Sequence, residues 1–303
     1  MYLFIVNPNA GNGEGRRVWN KISKQLRRRG IPYEHAFTDS GEQAHTFLQA
    51  RLSGHETWEA VGVVGGDGTI HGLLPAMRHS GVPLAVFSAG SGNDTARGFG
   101  IPRRPRAALE VLLNGRPSSA DLIAVAGRST LTALAVGFDA EVARNVNRSR
   151  YKKICNALGL GRLAYIIGIF HTLLTFRPGP LNVDCDGIAH RFESAWLTAI
   201  NNVDSYGGGL TICPDAKPDD GVLDLCVVHD CSKLKLLLLF PTVLFGAHTK
   251  FPFVTMLRGR NITVSSPIPR LALGDGEDVA ATPLNASADP GAIQILRPVP
   301  ETA

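Results

Sequence analysis

The stretch VGVVGGDGTIHGLL, Val61 to Leu74, decides how the first half of the chain is read. An apolar run ends in Gly65, Gly66 and Gly68 around Asp67, and the residues that follow take on helical spacing. A glycine-rich turn between strand and helix lets backbone approach a phosphate, because glycine has no Cβ to hold the ligand off and a helix N-terminus offers unpaired N–H groups. The turn points to a nucleotide; its plainer meaning is a tight strand-to-helix connection.

The neighbouring sequence repeats the arrangement. YLFIV (Tyr2 to Val6) is followed by a glycine turn and a helical pattern from about Glu14 to Arg29, and YEHAFT (Tyr33 to Thr38) by a helix from about Glu42 to Leu52. PLAVFS (Pro83 to Ser88) runs into AGSGND and another helical start. Four strand-turn-helix units in succession predict an α/β layer with a parallel sheet. Three of the strands end in turns rich in glycine and small polar residues: NPNAGNG from Asn7, GGDGT from Gly65 and GSGND from Gly90. Parallel strands put their C-terminal ends on one sheet edge, where open α/β folds bind ligands, so the three turns should converge. No G-x-x-x-x-G-K-[ST] is present, and no G-x-G-x-x-G stands in strand-to-helix context; the protein-kinase signatures are missing too.

After Arg116 and Pro117 the pattern becomes β-branched runs at hairpin spacing, starting with ADLIAVAGRSTLTALAVGFDAEV and continuing through LNVDCDG, FESAWLTAIN, VLDLCVV, NITVSS and AIQILRP. This half reads as mainly antiparallel β with one or two helical insertions. The expected domains are 1–122 and 123–303, with the last strand free to return to the first domain.

Composition sets the frame. The 303 residues, 44% hydrophobic and 19% charged, suit a buried core and two domains, and exclude a disordered chain. A net charge of +5 and a pI near 9.1 favour an anionic partner: nucleotide phosphate, nucleic acid or a membrane surface. Five cysteines without a CxxC pair suggest neither zinc nor a disulfide framework, and so a reducing cytosol. The N-terminus lacks the basic region and cleavage site of a signal peptide. Two oily segments, Leu158 to Phe176 and Leu234 to His248, are interrupted by Arg162 and His171 and by Pro241, short of the ~20 apolar residues a spanning helix needs.

Two further stretches carry carboxylates. GGGLTICPDAKPDDGVLDL, from Gly207, places Asp215, Asp219, Asp220 and Asp224 close together, which suits a hard cation or a solvated acidic turn. LALGDGED, from Leu271, puts Asp275, Glu277 and Asp278 on a short turn, where a carboxylate could take a proton from a hydroxyl or simply cap a hairpin.

Taken in order, NPNAGNG, GGDGTIHGLL, GSGNDTARGFGIP, GGGLTICPDAKPDDGVLDL and DGED resemble the blocks of the diacylglycerol kinase catalytic-domain family, which includes bacterial soluble lipid kinases and sphingosine and ceramide kinases. The resemblance covers essentially the whole chain. GGDGT alone also occurs in NAD kinases and phosphofructokinases; the combination is what is specific. It implies an N-terminal α/β domain like those of NAD kinase and phosphofructokinase, a β-rich C-terminal lipid-substrate domain, and a cleft where a lipid hydroxyl meets the γ-phosphate of ATP. Carried over by position, Asn7, Thr38, Gly65, Gly66, Asp67, Gly68, Thr69, Ile70, His71 and Ser91 would bind the nucleotide. Asp67 would act through Mg²⁺, and Asn93 and Asp94 would hold the neighbouring turn. Asp220 with the carbonyls of Lys217 and Val222 would hold a structural metal. Glu277 or Asp275 would be the general base, with Glu277 preferred.

The same resemblance implies a cytoplasmic enzyme in peripheral contact with a membrane that presents its lipid substrate, with no nucleic-acid partner and a homodimer as an open option. The basic run RNVNRSRYKK, from Arg144, could rest on anionic headgroups or be a solvated helix face. The chain departs from the family in Thr95, where Phe is common, and in Ser91, where Thr is common, which leaves substrate choice less defined than phosphate chemistry. The competing functions are an NAD kinase-like small-molecule kinase and a nucleotide- or lipid-binding regulatory protein without turnover.

Overall fold

A computed structural model describes residues 1–149 and 161–299, and only the course of the chain for 161–166. Arg150 to Lys153 of the basic run, Cys155, and Leu158 to Leu160 of the first oily segment lie outside the described residues. The chain divides into two compact units. The first comprises Met1–Leu122, the turn Pro218–Asp220 and the chain from Asp289 onward; the second comprises Ile123–Lys217 and Gly221–Ala288.

In the first unit β1 (Tyr2–Val6), β2 (Tyr33–Phe37), β3 (Ala60–Gly65) and β4 (Leu84–Ser88) form a parallel sheet in the order β2-β1-β3-β4. β1 and β3 lie inside the sheet and are buried on both faces, which is why they read as continuous apolar runs and not as alternations. Phe4 of β1 packs on Trp19 of the following helix with ring centroids 5.1 Å apart, and on Phe87 of β4 at 5.8 Å. Gly62 is required between them, since a Cβ there would lie 2.5 Å from the Phe4 ring. The helix Gly41–Leu52 is capped twice: Ser40 Oγ accepts from the Gln43 N–H at 3.2 Å, and Gln43 Oε1 accepts from the Asp39 N–H at 2.9 Å.

The remaining strands are β5 (Arg116–Val125), β6 (Arg128–Thr130), β7 (Ala133–Gly137), β8 (Gly179–Cys185), β9 (Ile188–Asn201), β10 (Leu223–His229), β11 (Val254–Gly259), β12 (Asn261–Ser265), β13 (Leu271–Gly274), β14 (Glu277–Ala281) and β15 (Leu284–Arg297). The last residues of β15 belong to the first unit, where Ile295 pairs parallel with Leu84. In the second unit the pairings between strands are antiparallel. β9 is long enough to pair with β8 along its first half and with both β7 and β10 along its second. Along β10, Leu223, Leu225 and Val227 enter one core while Cys226 and Val228 enter another, the period-two alternation of a strand covered on both faces. That second core is closed by the helices Phe138–Arg148, Gly161–Thr175 and Lys233–Val243.

The described residues thus hold three α-helices in this half, more than the one or two expected. GFDAEV, expected as strand, turns into helix at Phe138. Gly137 has φ +97°, and a Cβ there would lie 2.8 Å from the Trp196 carbonyl oxygen, so the strand must break at a glycine. Asp139 and Glu141 then favour a helix N-terminus. No helix among the described residues is long and apolar enough to cross a membrane.

Asp139 is half-buried where the Tyr206 hydroxyl donates to Oδ2 and the Ala140 N–H donates to Oδ1 at 2.9 Å. Burial pushes its pKa up to about 6, outweighing the hydrogen bonds that lower it. A carboxylate raised in the fold contributes stability at low pH that is lost as pH rises through the folded value. The shift from 3.8 to about 6 corresponds to ~3 kcal/mol in all, of which roughly half falls between pH 5 and pH 8. Urea denaturation should therefore show Asp139→Asn gaining on the wild type by about that amount between these pH values; a constant difference would contradict the assignment.

Candidate active site

The three glycine turns predicted to converge do so, through backbone contact within the first unit. A Cβ on Gly66 would lie 2.9 Å from Gly90 Cα, and one on Gly90 would lie 2.6 Å from Gly66 Cα, so the turns after β3 and β4 touch where no side chain fits. The Ala89 N–H donates to the Gly65 carbonyl at 2.7 Å, and a Cβ on Gly11 would lie 2.2 Å from the Ala89 oxygen, which brings in the first turn. Gly11, Asn12 and Gly13 all have positive φ, so regular helix begins at about Glu14 although helical hydrogen bonding starts at Ala10. Asn7 ties the set together: its Oδ1 accepts from the Asn9 N–H at 3.0 Å and its Nδ2 donates to Thr69 Oγ1 at 3.3 Å.

Gly66 is the N-cap of the helix Asp67–Met77, and Thr69 and Ile70 donate their N–H groups to its carbonyl at 2.9 and 3.2 Å. Asp67 Oδ1 accepts from the Thr95 N–H at 3.0 Å, which fastens the GGDGT turn to the start of the next short helix, Asp94–Gly98. The neighbouring turn is held by Asn93, buried and left-handed at φ 54°, whose Oδ1 accepts from the Gly90 N–H and whose Nδ2 donates to the Gly90 carbonyl, both at 2.8 Å. Asp94 pairs with Arg97 at 2.6 Å. A Cβ on Gly92 would lie 3.1 Å from Asp67 Oδ2 and 3.2 Å from Asp94 Oδ2, so both carboxylates border the same glycine. Glycine backbone next to two carboxylates is a donor set that fits a nucleotide with a hard divalent cation.

Thr38 stands at the end of β2, its N–H bonded to the Val6 carbonyl at 2.9 Å. Its hydroxyl is buried and has no hydrogen-bond partner among the described residues, as a group waiting for a ligand or water would be. Ser91 is exposed on its turn, while Gly68, Ile70 and His71 lie on the helix that GGDGT opens. One buried carboxylate escaped the sequence reading: Asp121 accepts from the Gly291 N–H at 2.8 Å and donates its own N–H to the Pro218 carbonyl at 2.6 Å. The available signal was a charged residue opening the apolar run ADLIAV.

The second unit carries the other predicted carboxylates. Asp275 and Gly276, at φ 52° and 87°, form the two-residue turn of the β13–β14 hairpin. Asp275 Oδ2 accepts from the Leu131 N–H at 2.9 Å, and its Oδ1 accepts from the Thr132 N–H and Oγ1 at 2.8 and 2.6 Å. That carboxylate is engaged in holding the loop before β7. Glu277, two residues on, is exposed, and its side chain makes no hydrogen bond or ion pair with the described residues.

The four aspartates close in sequence do not cluster. Asp215 and Asp219 are exposed, Asp220 is half-buried, and Asp224 lies on β10 opposite Arg258, 3.6 Å away. Among the described residues no group of three or more His, Cys, Asp or Glu side chains could hold a metal.

Comparison with known proteins agrees with this architecture. The family model described as the diacylglycerol kinase catalytic domain matches residues 1–125, and the one described as the YegS C-terminal NAD kinase beta sandwich-like domain matches residues 132–297. A diacylglycerol kinase of Mycobacterium tuberculosis is 32% identical over 300 residues, covering 97% of this chain and 94% of that protein. A diacylglycerol kinase of Staphylococcus aureus is 27% identical, covering 93% and 87%. A crystal structure of a diacylglycerol kinase from Bacillus anthracis superposes with a TM-score of 0.74 at 19% identity, covering 100% of this chain and 98% of that one, a likeness of fold. The glycine turns, the two-unit architecture and these matches together place the chain in the diacylglycerol kinase catalytic-domain family.

Proposed function

We propose that the protein is an ATP-dependent lipid kinase that transfers the γ-phosphate of ATP to the hydroxyl of diacylglycerol or a similar long-chain lipid alcohol. The observation that carries this reading is the meeting of the glycine turns beside Asp67 and Asp94, in a chain of the diacylglycerol kinase family. Phosphoryl transfer asks the protein for positioning and charge stabilisation more than for covalent chemistry. Asn7, Thr38, Gly65 to His71 and Ser91 bind the nucleotide, with the glycines admitting its phosphates. Asp67 and Asp94 hold Mg²⁺, which when bound neutralises charge developing on the transferred group. Glu277 takes the proton of the lipid hydroxyl, a role for which its exposed, unengaged carboxylate is better suited than that of Asp275. Asp220 with the carbonyls of Lys217 and Val222 holds a second, structural cation. The enzyme works in the cytoplasm against a membrane surface.

The test is transfer from γ-labelled ATP with Mg²⁺ to diacylglycerol, monoacylglycerol, phosphatidylglycerol, sphingosine and ceramide in mixed micelles, with NAD as a soluble acceptor. Label in a lipid product supports the reading and begins to name the substrate. Label in NADP assigns a soluble-acceptor kinase instead, and ATP binding without transfer assigns a regulatory protein.

A further inference from the structure

Two helices of the second unit turn apolar side chains away from their core. In Lys233–Val243, Leu236, Leu239 and Val243 are buried, but Leu234 and Leu238 are each 65% exposed, and Phe245, just past the helix end, is 85% exposed. Leu234 and Leu238 stand about one turn apart on one face of the helix, and Phe245 follows in the turn after it. On the helix Gly161–Thr175, Phe170 and Leu174 are 50% and 77% exposed one turn apart. Lys233 Nζ donates to the Leu174 carbonyl at 3.1 Å, which fastens the end of the one helix to the start of the other. Single exposed leucines are ordinary, but a series on two adjoining helices marks an interaction surface.

Charge selects the partner. From Cys231 to Gly274, the stretch that includes the helix Lys233–Val243, the chain has no aspartate or glutamate, against six lysines and arginines, of which Arg258 pairs with Asp224 of β10. Lys233 and Lys235 occupy the first turn of their helix, where the helix dipole disfavours cations and where no acidic residue offsets them. Helix stability does not account for that placement. A surface both apolar and cationic matches an anionic bilayer, whose phosphates meet the basic residues while apolar side chains pass below the headgroups. A second copy of the same face would instead set like charges against each other.

We propose that this face is a membrane-docking surface for anionic phospholipid, with Leu234, Leu238 and Phe245 as the inserting side chains. It deepens the lipid-kinase reading, on which its purpose rests, but the binding itself is measured without ATP or turnover.

The full chain is sedimented with vesicles of phosphatidylcholine alone and of phosphatidylcholine mixed with phosphatidylglycerol. The wild type should bind the anionic vesicles preferentially and release as salt rises. The triple variant Leu234→Ser, Leu238→Ser, Phe245→Ser should lose binding by ~10-fold or more. Ile188→Ser, which removes an exposed apolar residue of the β8–β9 hairpin, should not. As a second readout, Phe245→Trp should shift its emission to the blue on adding anionic vesicles, against native tryptophans that are all buried. Undiminished binding by the triple variant, equal wild-type binding to both vesicles, or an unshifted Trp in the bound Phe245→Trp protein would overturn the proposal. So would a triple variant that changes only the sedimentation mass of the free protein, which would reassign the face to a second copy. Wild-type protein that docks through these residues yet phosphorylates no lipid alcohol would leave the surface standing and remove the kinase reading.

Discussion

Glu277→Gln is expected to lower kcat by ~10²- to 10⁴-fold while leaving ATP affinity and the urea midpoint where they are. Glu277 opens β14 with an exposed side chain that has no hydrogen-bond or ion-pair partner among the described residues, so the amide removes a base and no side-chain bond. Asp275→Asn should behave in the opposite way. Three donors from Leu131 and Thr132 converge on that carboxylate, and an amide nitrogen turned toward any of them meets a donor with a donor. The expected cost is ~1–3 kcal/mol of stability, with any loss of turnover following from the distorted hairpin. Kinetics and denaturation on the two variants decide between the carboxylates. Full turnover in Glu277→Gln would take that residue out of the mechanism, and an unaltered urea midpoint in Asp275→Asn would undo the structural role given to Asp275.

Asp67→Asn carries the second large effect, a fall in kcat of ~10³-fold together with a higher Mg²⁺ requirement. The asparagine is the informative substitution. It keeps a carbonyl oxygen to accept from the Thr95 N–H, so the link between the GGDGT turn and the next helix survives and only the charge beside Gly92 is lost. Asp67→Ala removes both, and would mix a loss of metal with a loosened turn. A Mg²⁺ titration of activity separates the cases: half-saturation at higher Mg²⁺ supports the charge as a metal ligand, whereas wild-type kcat and wild-type half-saturation would show that Asp67 is only a hydrogen-bond acceptor.

The parallel sheet was readable in the sequence because β1, β3 and β4 are covered on both faces, and their runs YLFIV, AVGVV and LAVFS carry no polar interruption. The convergence of the turns was readable as topology, since parallel strands share a C-terminal edge. What the sequence could not display is that Gly66 and Gly90 meet backbone to backbone, because a contact between two turns leaves no periodic trace. The helix from Phe138 was misread for a related reason. LTALAVGFDAEV continues an apolar strand, and the break at Gly137 is forced by the Trp196 carbonyl, far away in the chain. The roles of Asp275 and Glu277 were undecided because the groups that engage Asp275 lie at Leu131 and Thr132, more than a hundred residues away. The acidic stretch suggested a cation in sequence, but no metal-holding group of side chains forms among the described residues, and strand pairing places Asp224 opposite Arg258.

The central claim is that ATP turnover by this protein deposits its γ-phosphate on a lipid hydroxyl. The most direct measurement is the ratio of phosphate recovered in the organic phase to ADP formed, with γ-labelled ATP, Mg²⁺ and diacylglycerol micelles. A ratio near one, falling to background in Glu277→Gln, is the expected result. ADP formed without labelled lipid, or no ADP from a protein that binds ATP, would contradict it.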